Sequence, residues 1–275
     1  MNIVIVGLGL IGASLAKALK KYTNHHIIGI DINSKILNDA LDFKVIDEIG
    51  SSKSITKADI IYLCIYPESA INFIKETLNF IPTHCIVVDT CGIKCKICNS
   101  LVDLSRGHFE FIGSHPMAGK EKNGFYESSA ELFKNASYII VPCEASDTSV
   151  DIIKNIALEI GFSKIKFTTP EEHDSMIAFT SQIPHVLACA YVLSPQCKNH
   201  DGFSAGSYRD VSRVARINES LWSELFISNK EPLVKELDLL INNLNNIKNL
   251  IKNKEIEELQ NILKQGRVIK EELDE

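Results

Sequence analysis

Gly7-Leu8-Gly9-Leu10-Ile11-Gly12 has the G-x-G-x-x-G spacing, directly after a β-branched run at residues 3–6 and ahead of a helical pattern. In that context the first glycine permits a tight turn and the second lets backbone approach a pyrophosphate. The third lets helix and strand close up, with the phosphates at the positive helix end. Asp31 ends the next apolar run about 20 residues on, where a carboxylate can accept hydrogen bonds from an adenosine ribose. A carboxylate there repels a 2′-phosphate, and Ile32 and Asn33 supply no cation, so the pattern favours NAD over NADP. The plainer alternative is an ordinary strand-turn-helix with an Asp cap.

A second group of chemistry-bearing residues lies further along. Ser114-His115-Pro116-Met117-Ala118-Gly119 follows a predicted strand, at the strand end where ligands gather in doubly wound sheets. A neutral His115 there could take a proton; a His before Pro could equally be a turn residue. Ser181-Gln182-Ile183-Pro184-His185 puts another histidine in an apolar helix, and Gly206-Ser207-Tyr208-Arg209-Asp210-Val211-Ser212-Arg213 sets arginines beside a glycine turn. Guanidinium groups pair bidentately with carboxylates, so an anionic substrate would use them; a satisfied core histidine and local ion pairs are the other reading. Cys91, Cys95 and Cys98 have the C-x3-C-x2-C spacing of iron–sulfur radical enzymes. Offsets of four and seven put them on one helix face, however, and they are read as core thiols with no metal expected.

The elements that must position these groups alternate in the first half. Strands are predicted at residues 3–6, 27–30, 60–65, 86–88, 111–113 and 138–141, and helices at 12–21, 34–42, 69–81 and 95–104. Strands apolar on both faces, separated by helices, argue a parallel sheet covered on both sides. After about Thr168 the pattern is helical, over residues 171–193 and from 218 onward, with Leu237, Ile241, Leu244, Ile247 and Ile251 in a stripe. The expected architecture is α/β: a Rossmann-type nucleotide-binding domain, residues 1–167, followed by an all-α domain, residues 168–275.

The chain has 275 residues, 45% of them hydrophobic and 23% charged, with 29 Lys+Arg against 35 Asp+Glu for a formal charge of −6. That is ordinary globular usage, long enough for two domains and without the basic block that a nucleic-acid backbone or an anionic membrane would require. The apolar runs read as too short to cross a bilayer, and residues 2–6 lack a charged leader. The eight cysteines then read as reduced thiols of a cytoplasmic protein. A small-molecule substrate is expected, with neither nucleic acid nor membrane as partner.

Taken in order, the Gly7 to Gly12 loop with Asp31, Asp89-Thr90-Cys91-Gly92-Ile93-Lys94, His115-Pro116-Met117-Ala118-Gly119-Lys120-Glu121, Ser181 to His185, Gly206 to Arg213, and Trp222 resemble the prephenate dehydrogenase family of tyrosine biosynthesis. The resemblance covers nearly the whole chain, and the His-Pro-x-Ala-Gly loop joined to Arg-Asp-x-x-Arg is its most specific part. It implies NAD-dependent oxidative decarboxylation of prephenate to 4-hydroxyphenylpyruvate by a homodimer, with residues 168–275 as the substrate and dimerisation domain and the active site between the domains. It implies His115 as the catalytic histidine, Arg213 as the holder of a substrate carboxylate, and His185, Ser181 and Gly206 as pocket positions. Glu121 and Arg209 match charged residues near the pocket mouth. Cofactor contacts are expected from Gly7, Leu8, Gly9, Leu10, Ile11, Gly12, Asp31, Ile65 and Gly92. Two residues depart from the family pattern: Gly92 stands where many members carry Ser, and Gln182 where a His is common. Arogenate dehydrogenase is the same-class alternative, and a non-catalytic NAD-binding sensor, which would need neither His115 nor Arg213, the alternative from another class. No added chorismate mutase or regulatory module is expected.

Overall fold

The computed structural model describes residues 1–51, 53–120 and 122–273. An eight-stranded sheet has the order β3-β2-β1-β4-β5-β6-β7-β8. Its strands are β1 (Asn2–Val6), β2 (His26–Ile30), β3 (Glu48–Ile49), β4 (Ile60–Leu63), β5 (Ile86–Asp89), β6 (Glu110–Pro116), β7 (Ser137–Val141) and β8 (Lys164–Phe167). The chain reverses its winding between β1 and β4, the place where doubly wound sheets open a crevice at their carboxyl ends. The expected parallel sheet is present with one exception: β6 and β7 run antiparallel, with His115 opposite Ile139.

Alternation along each central strand feeds two cores. Ile3 and Ile5 face one side with α1 (Leu10–Tyr22) and α5 (Asp147–Glu159); Val4 and Val6 face the other with α3 (Pro67–Thr77) and α4 (Cys95–Ser105). This two-sided burial explains the nearly continuous apolar strands. Helix α2 (Ser34–Asp42) starts at Asn33, whose side chain accepts from the amides of Lys35 and Ile36.

Beyond Phe167 the chain is helical. Thr169 opens α6 (Pro170–Ile177) with a capping box closed by Glu172, then come a π-turn (Ala178–Gln182) and α7 (Ile183–Val192). The π-turn has a local cause: Pro184 has no amide to return to the Thr180 carbonyl, and its ring crowds that carbonyl, so the helix takes an extra residue per turn. Together Pro170–Val192 form a 23-residue helical run, long and apolar enough by length and composition to cross a membrane. The expectation that no apolar run reaches that length is therefore corrected: Asp174, Gln182 and Pro184 interrupt the pattern in sequence without interrupting the helix. His173, Asp174 and Gln182 are buried within the protein, while Met176, Phe179 and Tyr191 are exposed. Helix α8 (Gly206–Ser212), a 3-10 turn (Arg213–Ala215) and α9 (Glu219–Ser228) follow.

Met1–Asn229 form one compact unit and Lys230–Glu275 a second. The second is a helical hairpin, α10 (Lys230–Asn253) and α11 (Ile256–Leu273), turned at Lys254 with its φ of 59°. Of the predicted stripe on α10, Ile241, Leu244 and Ile251 are half or more exposed in the single chain.

Candidate active site

The glycine loop carries out the steric roles its spacing implies. Gly7 has φ +91°, and a Cβ there would lie 2.6 Å from the Cys64 carbonyl oxygen; at Gly12 a Cβ would lie 1.9 Å from the Gly7 oxygen. At Gly9 a Cβ would meet nothing within 4 Å, so this residue faces open space, as close approach of a pyrophosphate requires. Gly9 also caps α1, with no side chain occupying the first-turn amides. Asp31 follows β2; its Oδ2 accepts from the Leu8 amide at 2.7 Å and its Oδ1 from the Asn33 amide at 2.8 Å. It thus braces the loop and keeps lone pairs for a ribose hydroxyl. Leu8 takes part through its backbone only, since its side chain is buried in the core.

A cleft of about 410 Å³ opens at the carboxyl ends of β1, β4, β5 and β6, lined on one side by Gly9, Leu10, Ile11 and Ile65 and on another by Gly92 and His115. Ser181, from the π-turn, and Trp222, from α9, close it. His115 lies on β6 rather than after it, because pairing with β7 carries the strand through Pro116. Its Nδ1 is 3.0 Å from His173 Nε2, and His173 Nδ1 is 2.7 Å from Asp174 Oδ1. Burial, then His173 and Lys94, hold the His115 pKa well below the usual imidazole value, so the ring is neutral at neutral pH. Behind it the Lys94 ammonium is fully buried and bonded to Asp89. Burial is the largest single influence and opposes that charge, but the Asp89 carboxylate and its hydrogen bond, together with Cys91 and Cys98 nearby, outweigh it and raise the Lys94 pKa. Asp89 also accepts from the amides of Cys91 and Ser114, and Tyr138 donates to Ser114 Oγ.

Other predicted positions have distinct surroundings. His185 is stacked on Trp222 at 3.8 Å between ring centres, and its Nδ1 lies 2.8 Å from the Ser181 carbonyl oxygen; it reaches the cleft through Trp222 and does not itself line it. Gly206 and Arg209 lie on α8 and Arg213 on the following turn; these elements pack on α7, outside the lining of this cleft. Glu121 lies outside the described residues. Gln182 is buried, with Nε2 donating to the Leu225 carbonyl and Oε1 accepting from Asn229, so it ties the π-turn to α9.

Contrary to the expectation from spacing, Cys91, Cys95 and Cys98 do not share a helix face, because Cys91 precedes α4, which starts at Cys95. Cys91 and Cys98 are buried, and all eight cysteines are free thiols. In the sequence Lys94 and Lys120 stand within the family motifs without a role, and His173 and Asp174 are not singled out; Lys94, His173 and Asp174 stand behind His115, and Lys120 lines the cleft. His173, Ile177 and Ser181 recur at four-residue spacing, which would have marked one inward face of a helix.

A doubly wound nucleotide domain whose crevice carries a neutral histidine beside the cofactor loop defines a dinucleotide-dependent oxidoreductase. Residues 15–166 match the model of the prephenate dehydrogenase nucleotide-binding domain and residues 169–265 that of the prephenate dehydrogenase dimerization domain, so the chain belongs to the prephenate dehydrogenase family and is an NAD-dependent dehydrogenase. It is 29% identical over 271 residues to the Bacillus subtilis prephenate dehydrogenase, covering 94% of this chain and 72% of that protein. The crystal structure of Aquifex aeolicus prephenate dehydrogenase, in complex with hydroxyphenyl propionate and NAD+, superposes with a TM-score of 0.89 at 26% identity, covering 99% and 98% of the two chains. Synechocystis arogenate dehydrogenase superposes with a TM-score of 0.84 at 28% identity, covering 99% and 100%.

Proposed function

We propose that the protein oxidises prephenate to 4-hydroxyphenylpyruvate and carbon dioxide in tyrosine biosynthesis, as a cytoplasmic homodimer. The observation that carries this reading is the neutral, half-buried His115 in the same cleft as the glycine loop. NAD, when bound, supplies the hydride acceptor. His115 takes the proton of the ring hydroxyl as the hydride leaves the hydroxyl-bearing carbon; carbon dioxide departs and the ring becomes aromatic. Aromatisation provides the driving force, so the protein's contribution is orientation and charge balance.

Prephenate is a dianion. We assign Ser181 to the substrate wall of this cleft and His185 to holding Trp222 against it; Arg213, with Gly206 and Arg209 on the neighbouring α8, is assigned to a substrate carboxylate beyond the residues that line the cleft in the single chain, and Glu121 to the substrate by the family pattern alone. Gly7 to Gly12, Asp31, Ile65 and Gly92 are assigned to the cofactor. The functional division falls at residues 167–168, after the last strand, with cofactor binding before it and substrate binding and dimerisation after it. The exposed apolar faces of Pro170–Val192 and of α10 support pairing with a second copy, since apolar surface on this scale is normally covered.

Arogenate is the second candidate substrate, favoured by the likeness to the Synechocystis enzyme. Mixing the protein with NAD and either compound, and following NADH absorbance, tests both. Turnover of prephenate well above arogenate supports the proposal, the reverse selects arogenate, and no NADH with either would leave an NAD-binding sensor.

A further inference from the structure

The groups behind His115 decide which of its nitrogens can act. Asp174, 1% exposed, accepts from the Lys94 amide at 2.6 Å through Oδ1 and from the Cys95 amide at 2.8 Å through Oδ2. Burial works against its charge, but the bonds from His173 and these amides hold its pKa below the usual carboxylate value, so it is ionised. An ionised carboxylate only accepts, so the His173 nitrogen facing it, Nδ1, carries a proton. Burial keeps His173 neutral, with a single ring proton. Its Nε2 is then a bare acceptor, and the partner facing that acceptor is Nδ1 of His115. His115 must therefore donate from Nδ1, which leaves its lone pair on Nε2. Nε2 is the nitrogen that would lie 3.9 Å from a Cβ at Gly92, on the cleft wall.

We propose that His173 and Asp174 are positioning residues that fix the tautomer of His115, so that Nε2, facing the cleft, is the base. This rests on the reading of His115 as the proton acceptor. In the step itself the substrate O–H bond breaks, an N–H bond forms at Nε2, and Nδ1–H keeps its bond to His173. The resulting imidazolium faces His173 from α6 and the Lys94 ammonium from the segment before α4; Asp174, through His173, and Asp89, beside Lys94, are the anions that balance it. With the other tautomer His115 would present N–H to the substrate and could accept nothing.

Nitrogen-15 NMR of the histidine-labelled wild-type protein reads the tautomer directly and needs no variant. The expected result is a protonated Nδ1 and an unprotonated Nε2 at His115 at neutral pH; a protonated Nε2 overturns the proposal. Among variants, His173→Leu removes the acceptor and should lower kcat at least about tenfold, with KM for substrate and NAD within about twofold, because orientation of a base contributes to turnover rather than to binding. His173→Gln, whose amide oxygen can stand near the Nε2 position, should recover most of that loss. A folded His173→Leu protein with kcat within about twofold of wild type, while His115→Asn is inactive, overturns the inference and leaves the base intact. Full turnover by His115→Asn would instead sink the reading of His115 as base.

Discussion

On its cofactor side the cleft is made of backbone: Gly7, Gly9 and Gly12 fall within one turn and the start of α1, and Asp31 braces that turn through the Leu8 amide. On its proton side it is made of side chains delivered by separate elements: His115 from β6, backed by the buried His173 and Asp174 of α6, Ser181 from a π-turn, and Trp222 from α9. The first arrangement leaves no room for a side chain at Gly7 or Gly12, where a Cβ would overlap the Cys64 and Gly7 carbonyl oxygens, and keeps open space at Gly9. The second depends on hydrogen-bond direction, since each ring nitrogen is either donor or acceptor according to its neighbour. A wall of backbone can bind and align; a wall of directed side chains can also move a proton.

If that division is correct, the two sides should fail separately. The largest effect is expected for His115→Asn, which should lower kcat about 10²- to 10⁴-fold while the NAD dissociation constant, measured by calorimetry, stays within about twofold. A comparable loss of NAD binding would mean that the sides are not independent. Arg213→Ala should weaken prephenate binding about ten- to a hundredfold, the equivalent of one charge-assisted pair of about 1.5 to 3 kcal/mol, again with NAD binding retained. Steady-state KM with calorimetry on the same variant checks both halves, and an unchanged KM would assign Arg213 to structure.

A smaller effect tests the cofactor side alone. kcat/KM with NAD should exceed that with NADP by about tenfold or more, the scale of a ~1.4 kcal/mol repulsion between Asp31 and a 2′-phosphate. Smallest of all should be Gly92→Ser. Its Cβ would lie 3.5 Å from Leu225 Cδ1, ordinary contact, so stability should change by less than about 1 kcal/mol and the melting temperature by a few degrees. A large drop in melting temperature would show that the wall beside His115 is tighter than this spacing allows.

The same contrast explains what could be read from sequence. The glycine loop and Asp31 are local: their backbone demands fall within one strand-turn-helix and leave a spacing in the chain. The parallel strands were legible because burial on both faces leaves them apolar throughout. Edge strand β8 was not, since Lys164 and Lys166 break its apolar run as exposed edges commonly do, and β3 pairs over only Ile28 and Gly29. The antiparallel β6–β7 pair leaves no composition signal, although it is what brings His115 onto the strand. His173 and Asp174 were hidden in the Glu171-Glu172-His173-Asp174 run, where a helix start accounts for acidic residues without further function. Their role comes from two amides, of Lys94 and Cys95, and from the His115 ring, all far away in the chain, which no local pattern encodes.

In the proposed reaction His115 acts as a neutral base, and the pH dependence of kcat/KM reads that state in the free enzyme. Activity requires the unprotonated ring, and burial with His173 and Lys94 lowers its pKa well below 6.5. The wild-type profile should therefore stay level through neutral pH and fall only on acidification below the ordinary imidazole range, and His115→Asn should lose that limb along with most of its rate. An acid limb with its midpoint at or above 6.5, or one that persists unchanged in His115→Asn, would contradict it.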